Sequence, residues 1–336
     1  MKSLRRFLLL SMFVLAATFA HADDLNRQLH DQHVNKTLVL RGFYSGDRLR
    51  YDSSGSLVSS NPSGDWTSDG FVRITDIGVK GHEIRIKAQR MSTLSLNKTF
   101  SLRVAENEVV RPGENKAIVV EIAADLGTRH PSADQADAAM AKIFLSAKDD
   151  FARLVPDYWK PCVPAGLAGK DENCHFTSEI LGTPGVRVSE DDPSGIAAAI
   201  TDQKPSAARR FLVAKGISPP RVTLHKEPEF SELARRMKYQ GTGVLGLTVN
   251  QEGVPTKVYV LTPLGCGLDA QAVRAVEEWR FKPAEKDGQP VSVEIDSQYF
   301  RNTPITRPCT STEAAGTMIG FMVTFEGCRR MLSPSR

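Results

Sequence analysis

Few side chains in this sequence could carry out chemistry, and they do not group into a catalytic pattern. His30 and His33 have the spacing of one helix face, but a metal site needs three or four ligands and no further ligand has a convincing spacing. Cys174-His175 is a candidate ligand pair or reactive thiol. Asp191-Asp192 and Glu277-Glu278 are carboxylate pairs, which in acid–base catalysis need a cleft and shifted pKa values. We interpret these histidines and carboxylates as surface residues, and we predict neither a metal site nor a cofactor.

Motifs of well-known enzyme classes are also missing from the sequence. The chain has no GxSxG, no P-loop, no HExxH and no dinucleotide-binding glycine fingerprint. We therefore predict that the protein is not an enzyme. One alternative stays open, in which the N-terminal β region and the segment from Cys162 to His175 form a hydrolase or small-ligand module.

The N-terminus has the pattern of a secretory signal peptide. Lys2, Arg5 and Arg6 form a positive region, residues 7–19 form an apolar run, and Ala20-His21-Ala22 fits a cleavage site. A membrane-spanning helix needs about 20 apolar residues, so this run is short for a permanent anchor. We predict an exported protein from which residues 1–22 are removed, with a retained membrane anchor as the alternative.

The charge of the chain argues against nucleic acid as a partner. The 336 residues carry a formal net charge of only +4, and Lys and Arg are scattered along the sequence. Nucleic-acid recognition needs a clustered basic face. We predict no nucleic-acid partner.

The cysteines are candidates for disulfides, because an exported protein folds under oxidising conditions. Cys162 and Cys174 enclose a short polar loop, and Cys309 and Cys328 flank a hairpin-like segment. We expect these two pairs to form bridges, which leaves Cys266 as the odd cysteine. Spacing alone does not fix the connectivity, so other pairings stay open.

The distribution of strand and helix patterns predicts an α+β protein. Residues 35–124 contain several alternating or β-rich segments, two of them separated by Lys80-Gly81, and predict a small antiparallel β domain. Ser132 with Gln135 fits a capping box at the start of a helix. We divide the chain into a signal peptide (1–22), a β domain of unknown role (23–127), a helical and irregular connector (128–219), a C-terminal domain (220–301) and a tail (302–336).

The C-terminal domain has the clearest pattern. Residues 229–239 have apolar side chains on one helical face. A hairpin follows, with strands at 244–249 and 254–261. Asp269 is placed to cap a helix over 270–279, and a last strand runs from Val291 to Tyr299. The order of elements is helix, strand, strand, helix, strand.

Three segments of this domain together resemble the C-terminal domain of the TonB family. They are "PEFSELARRMKYQGTGVLGLTVNQEGVPTKVYVL", "GLDAQAVRAVEEWRFKPA" and "DGQPV". The resemblance implies a three-stranded antiparallel sheet with two helices on one face. The residues that carry the motif are Gly241, Gly253, Leu268, Asp269, Trp279, Phe281, Pro283 and Gly288.

The resemblance also implies roles for parts of the motif. Trp279 and Phe281 are expected to lock the second helix to the sheet, and Pro283 to redirect the chain. Asp287-Gly288 is expected to set the turn into the third strand. We therefore interpret this motif as architecture and not as a binding patch.

Function in the TonB family is partner binding, so the resemblance implies an interface. The family binds an extended segment of an outer-membrane transporter, the TonB box, by adding it as a strand to a sheet edge. The implied contact residues in this chain are Gln240, Val291, Ser292, Val293, Glu294 and Ile295. The expected partner is an envelope protein of the TonB-dependent transporter type, and the expected location is the periplasm.

The chain departs from the family pattern in ways that keep alternatives open. A TonB transducer has a permanent membrane helix and a long Pro-rich spacer, whereas here the N-terminal segment has a cleavage pattern and a β domain fills the space. The tail contains "TMIGFMVTFEG", which could occupy the edge strand. A periplasmic scaffolding or dimerisation protein without force transduction is therefore the alternative, as is an inner-membrane-anchored form.

Overall fold

The computed structural model of the protein describes residues 24–96, 99–107, 116–146, 148–163, 174–186 and 216–299. The α-helices in this part of the chain are α1 (24–33), α2 (Trp66–Asp69), α3 (Ala133–Ile143), α4 (Phe151–Leu154), α5 (Ser178–Leu181), α6 (Glu232–Arg236) and α7 (Leu268–Glu277). Short 3-10 helices lie at Arg41–Phe43 and Asp157–Trp159.

The strands follow one another in groups between these helices. They are β1 (Thr37–Val39), β2 (Arg48–Tyr51), β3 (Phe71–Lys80), β4 (Glu83–Leu96), β5 (Thr99–Val104), β6 (Glu106–Asn107), β7 (Lys116–Ala117), β8 (Val119–Asp125), β9 (His175–Phe176), β10 (Ile217–Ser218), β11 (Arg221–Leu224), β12 (Gly243–Val249), β13 (Pro255–Thr262), β14 (Arg280–Lys282), β15 (Ala284–Lys286), β16 (Gln289–Val291) and β17 (Val293–Tyr299). This confirms the mixed α+β class.

The N-terminal half is built on a seven-stranded sheet. Its main order is β1-β3-β4-β5-β9, with β8 paired to β4 and β2 paired to β8. The β3–β4 hairpin turns at Gly81, which has a φ of 67°. The sheet is mixed and not purely antiparallel as predicted, because β2 pairs with β8 and β5 with β9 in parallel. These partners are far apart in sequence, so local patterns do not set their relative direction.

One face of this sheet is buried along its length, and the other is buried only in part. On that second face, Arg85 and Lys87 in the first half of β4 are exposed, whereas the second half of β4 is buried. On the first face, Leu29 of α1 and Met140 of α3 pack with Ile84 and Ile86 of β4. The predicted capping box begins α3, with Ser132 and Gln135 bonded reciprocally.

The other face is centred on Trp66, which is fully buried. Its ring lies 5.4 Å from the rings of Phe100 and Phe151 and 5.2 Å from that of Trp159. Edge-to-face and tilted ring pairs of this kind are favourable beyond the area that they bury.

The C-terminal part contains a second, three-stranded antiparallel sheet. Its order is β13-β12-β17, so β12 is central and the other two strands are outer. Helix α7 packs beside β12 and β13, with Leu268, Ala272 and Val276 buried. Helix α6 is shorter than predicted: it covers only Glu232–Arg236, and the Ser231 side chain caps it.

The last predicted strand is divided in two. Gln289–Val291 forms a small hairpin with Ala284–Lys286, and Val293–Tyr299 forms β17. The hairpin turns at Asp287 and Gly288, with φ values of 51° and 76°. Positive φ at both central residues is what a type I′ turn requires, so this pair does form a turn. The turn leads into β16 and not, as expected, directly into the third strand of the sheet, which is β17.

The two sheets share one hydrophobic core. The cluster around Trp66 continues into Leu245, Leu247 and Val273 of the C-terminal part. The N-terminal sheet and the TonB-like part therefore pack against each other directly.

Candidate partner-binding edge

The outer strand β17 offers the main-chain groups that strand addition needs. On one side it pairs with β12 over its full length, from Gly243 opposite Tyr299 to Val249 opposite Val293. On its other side, no strand within the described ranges is paired with it. Its 7 residues present an edge about 20 Å long at a rise of about 3.3 Å per residue. An edge of this kind is a template for another extended chain.

The side chains of β17 alternate between two environments. Val293 and Tyr299 are buried in the core, and the partly buried Ile295 packs against it. Glu294 lies on the opposite face, where the Tyr259 hydroxyl donates a hydrogen bond to its carboxylate. Burial, followed by this bond, raises the pKa of Tyr259. The hydroxyl therefore stays protonated and holds Glu294 in place.

The residues predicted to contact a partner are spread out in the structure and do not form one cluster. Val293, Glu294 and Ile295 lie on β17, near its start. Val291 lies in β16 opposite Ala284, and Ser292 joins the two strands. Gln240 is exposed and precedes β12, whose first residue is opposite Tyr299 at the far end of β17. Only a ligand that is extended along the strand would contact both groups.

A close backbone contact requires the motif glycine Gly253, whereas Gly241 is approached only by the end of a flexible side chain. Gly253 in the β12–β13 turn has a φ of 78°, and a Cβ there would overlap the Phe281 carbonyl oxygen. The Phe281 N–H in turn donates to the Gly253 carbonyl at 2.8 Å. A Cβ on Gly241 would lie 2.7 Å from a methyl of Leu264.

Trp279 holds the segment that leads into α6. Its indole Nε1 donates to the Lys226 carbonyl at 2.7 Å, and its ring lies 4.6 Å from that of His225. Trp279 and Phe281 are both buried in the shared core, and Pro283 separates β14 from β15.

Asp269 does not cap α7 as predicted. The N-cap is Gly267, with a φ of 75°, and Asp269 lies inside the first turn. Its fully buried carboxylate accepts hydrogen bonds from the N–H groups of Leu264 at 2.8 Å and Gly265 at 2.6 Å, and from the Tyr299 hydroxyl. Burial raises the pKa of Asp269 to about 7, although these three donors oppose the shift. Asp269 thus ties the end of β17 to the loop before α7.

The loop 263–267 is also the point of attachment to the N-terminal sheet. The Ser95 N–H donates to the Leu264 carbonyl at 2.8 Å, and the Cys266 N–H donates to the Thr93 carbonyl at 2.7 Å. The Gly267 N–H donates to the Thr67 hydroxyl at 2.8 Å. No local pattern in the sequence indicates this junction, because its partners are far apart in the chain.

Tyr239 reinforces the same junction. Its hydroxyl lies 2.8 Å from the Ser95 carbonyl and 3.0 Å from the Leu264 carbonyl. Tyr239, Tyr259 and Tyr299 were all missed as candidate site residues. For each of these tyrosines, the sequence shows only an aromatic residue with a polar hydroxyl beside or within a predicted strand, which does not indicate a hydrogen-bonding role.

The cysteines that were candidates for bridges or reactive thiols are the next groups to place. Cys162 and Cys174 form a disulfide with Cα atoms 5.5 Å apart, and Cys266 is a buried free thiol. Cys309 and Cys328, like Asp191-Asp192, lie outside the described residues. In the described part of the chain, no group of three or more His, Cys, Asp or Glu residues is placed to hold a metal ion. In the same residues, no helix has the length and apolar character needed to cross a bilayer.

Within residues 216–299 the structure thus combines a three-stranded antiparallel sheet, β13-β12-β17, with the helices α6 and α7. Residues 226–301 match the family model for the C-terminal part of the Gram-negative bacterial TonB protein. The predicted resemblance is therefore confirmed.

Two known proteins illustrate this similarity. The chain is 28% identical over 96 residues to Protein TonB of Vibrio cholerae serotype O1, which covers 27% of this chain and 39% of that protein. The solution NMR structure of the Pseudomonas aeruginosa TonB CTD is 19% identical, with a TM-score of 0.23, and covers 27% of this chain and 92% of that one. The chain thus spans well under half the length of the TonB protein that it matches.

Proposed function

We propose that this protein is a cell-envelope binding protein. In this proposal its TonB-like part captures an extended segment of an outer-membrane transporter as an added strand on β17. The observation that carries the proposal is the outer side of β17, which has no paired strand among the described residues. Main-chain groups would supply most of the bonding, and alternating side chains the selectivity.

The proposed location follows from the N-terminal sequence and not from the fold. A positive region, an apolar run and a cleavage site favour export, with residues 1–22 removed and the rest in the periplasm. Intact mass of the mature protein and membrane fractionation test this. A chain starting at Asp23 in the soluble fraction supports it, and retention of Lys2 in the inner membrane supports an anchored form.

Site-specific photo-crosslinking tests the binding edge. A photoreactive residue is placed at Gln298, which is exposed on β17, and in a matched variant at Lys257, which is exposed on β13 at the opposite edge. We expect a crosslink from the first position to an extended, periplasm-facing segment of an outer-membrane transporter, identified by mass spectrometry. A crosslink from Lys257 alone, or none from Gln298, contradicts binding at β17.

A second function, scaffolding without force transduction, is supported by the junction at residues 263–267. Main-chain bonds from Thr93 and Ser95 attach the TonB-like part to the N-terminal sheet, so it is not an isolated module. A homodimer would serve this role. Sedimentation across a range of concentrations tests it: a strictly monomeric protein without crosslinked partners contradicts the scaffolding function.

A further inference from the structure

An open groove on the N-terminal sheet is lined by polar and charged groups. It lies between α1 and the β3–β4 hairpin and has a volume of about 580 Å³. One wall is formed by Asn26, Arg27 and His30 of α1, and the rest by residues 76–80 of β3 with Arg85 of β4. Sites for small ligands measure about 300 to 1,000 Å³, so the groove has room for a small molecule.

Strand β3 forms the floor of the groove at Gly78. Ile77 and Val79 pack in the core that α1 covers, so the residues at alternate positions, Asp76, Gly78 and Lys80, face the opposite side of the sheet. Gly78 leaves a gap there between two charged residues, whose Cα atoms are about 13 Å apart at a rise of about 3.3 Å per residue. The bulge of β3 lies before Asp76 and does not account for this glycine. A glycine inside a strand can mark a place where a ligand approaches the backbone closely.

Asn26 joins the two walls of the groove and keeps a hydrogen-bond donor. Its Oδ1 accepts from the Val79 N–H at 2.7 Å, which assigns the carbonyl end of the amide to the strand. Its Nδ2 group remains a donor, with no partner among the described residues. A Cβ on Gly78 would lie 3.3 Å from the same Oδ1, so a longer side chain at position 78 would fill the space between α1 and β3.

The lining of the groove has an excess of positive charge. Arg27 and Lys80 are exposed and form no ion pair with any residue that the structure describes. Arg85 is bonded to Glu83, but the same carboxylate is also bonded to Arg50, each at 2.9 Å. The bond from Arg85 lowers the pKa of Glu83, so Glu83 is ionised and the three side chains together carry one net positive charge.

The two ends of the groove differ in the groups that they offer a ligand. Arginine and lysine side chains bind phosphate and carboxylate groups through charge-assisted hydrogen bonds. The carboxylate of Asp76, at the other end, accepts hydrogen bonds from hydroxyl groups. We propose that this groove binds a small ligand whose phosphate or carboxylate group is held by Arg27, Lys80 and Arg85, and whose hydroxyl groups donate to Asp76. This inference gives the N-terminal sheet a ligand and does not depend on strand addition at β17.

Isothermal titration of the purified full chain tests the chemistry of the ligand with four probes. Glucose 6-phosphate and glucuronate combine an acid with hydroxyl groups, whereas glucose has only the hydroxyl groups and inorganic phosphate only the acid. We expect one of the two sugar acids to bind about tenfold more tightly than glucose and than inorganic phosphate. Which of the two binds more tightly distinguishes a phosphate ligand from a carboxylate ligand.

Variants of the protein assign the binding to the groove. Arg27→Glu and Lys80→Glu should each weaken the favoured sugar acid about tenfold. Lys116→Glu makes the same change of charge as Lys80→Glu at an exposed position on β7, outside the lining, and should leave the affinity unchanged. Asp76→Asn should reduce the advantage of the sugar acid over inorganic phosphate without weakening inorganic phosphate itself. Circular dichroism shows whether each variant is folded.

Each of the other results overturns the inference and leaves binding at β17 standing, because the crosslinks from Gln298 test that edge separately. Absence of binding by all four probes, or equal affinities for glucose and the sugar acids, removes the anion site. Affinities that are unchanged in Arg27→Glu and Lys80→Glu place the site elsewhere. Inorganic phosphate that binds as tightly as glucose 6-phosphate, in the wild type and in Asp76→Asn, indicates an adventitious ion only.

Discussion

Replacing Asp269 by Asn should change how the stability of the protein depends on pH. The carboxylate is fully buried beside Leu264, Gly265 and Tyr299, and its pKa is raised from 3.8 to about 7, mainly by burial. The negative charge of the partly buried Asp65 carboxylate also raises the pKa of Asp269. The folded state therefore binds more protons than the unfolded state between these two pH values.

The sign and size of the effect follow from proton linkage. The stabilisation by a raised acid pKa is full below the unfolded value of 3.8 and is lost as the pH rises through about 7. A shift of about three pH units corresponds to about 4 kcal/mol. The Asn side chain of the Asp269→Asn variant does not titrate. Relative to that variant, the unfolding free energy of the wild-type protein should fall by up to this amount between about pH 4 and about pH 8, the range over which Asp269 titrates.

Urea unfolding followed by tryptophan fluorescence at several pH values measures this difference. Tyr299→Phe provides a matched test, because the Tyr299 hydroxyl bond lowers the pKa of Asp269. Removing that hydroxyl should move the loss of stability to higher pH. The argument from burial is refuted if the unfolding free energy of the wild type minus that of Asp269→Asn does not change with pH, or increases as the pH rises.

Three further variants test the packing and cross-linking of the fold. Gly253→Ala should lower the unfolding free energy by about 2 kcal/mol or more, because a Cβ meets the Phe281 carbonyl at positive φ. Gly288→Ala, which has a similar φ but nothing within 4 Å, should cost only about 1 kcal/mol; equal costs in urea unfolding would contradict the contact argument. Replacing Cys162 and Cys174 together by Ser should lower the stability by about 3 kcal/mol, since the bridge closes a loop with a sequence separation of 12. An unchanged thermal midpoint of the double variant would show that the bridge is not formed.

The parts of the fold that depend on neighbouring residues were predictable from the sequence. Alternation around Lys80-Gly81 predicted the β3–β4 hairpin, Ser132 with Gln135 predicted the start of α3, and Asp287-Gly288 predicted a turn. In each case the decisive hydrogen bonds or dihedral angles lie within a few residues. The TonB-like pattern itself depends on several such local features in order.

The parts that depend on distant residues were not predictable in the same way. The parallel pairs β2–β8 and β5–β9 join segments far apart in the chain, and the role of Asp269 depends on a loop that folds back toward it. The candidate edge was predicted as one strand, but Val291 turned out to belong to the preceding hairpin. Side-chain alternation is the same on both sides of Ser292, so the pattern does not show where pairing with β12 begins.

The bond between Tyr299 and Asp269 has a mechanical consequence. A force applied along β17 acts on its main-chain hydrogen bonds to β12. These bonds are perpendicular to the force, so they resist it together. At the end of the strand, the hydrogen bond from Tyr299 transmits part of this force to Asp269. Asp269 in turn is bonded to the N–H groups of Leu264 and Gly265 in the loop before α7. That loop is bonded to Thr93 and Ser95 of β4. Tension on the outer strand thus reaches the N-terminal sheet across a side-chain bridge, in addition to the covalent chain.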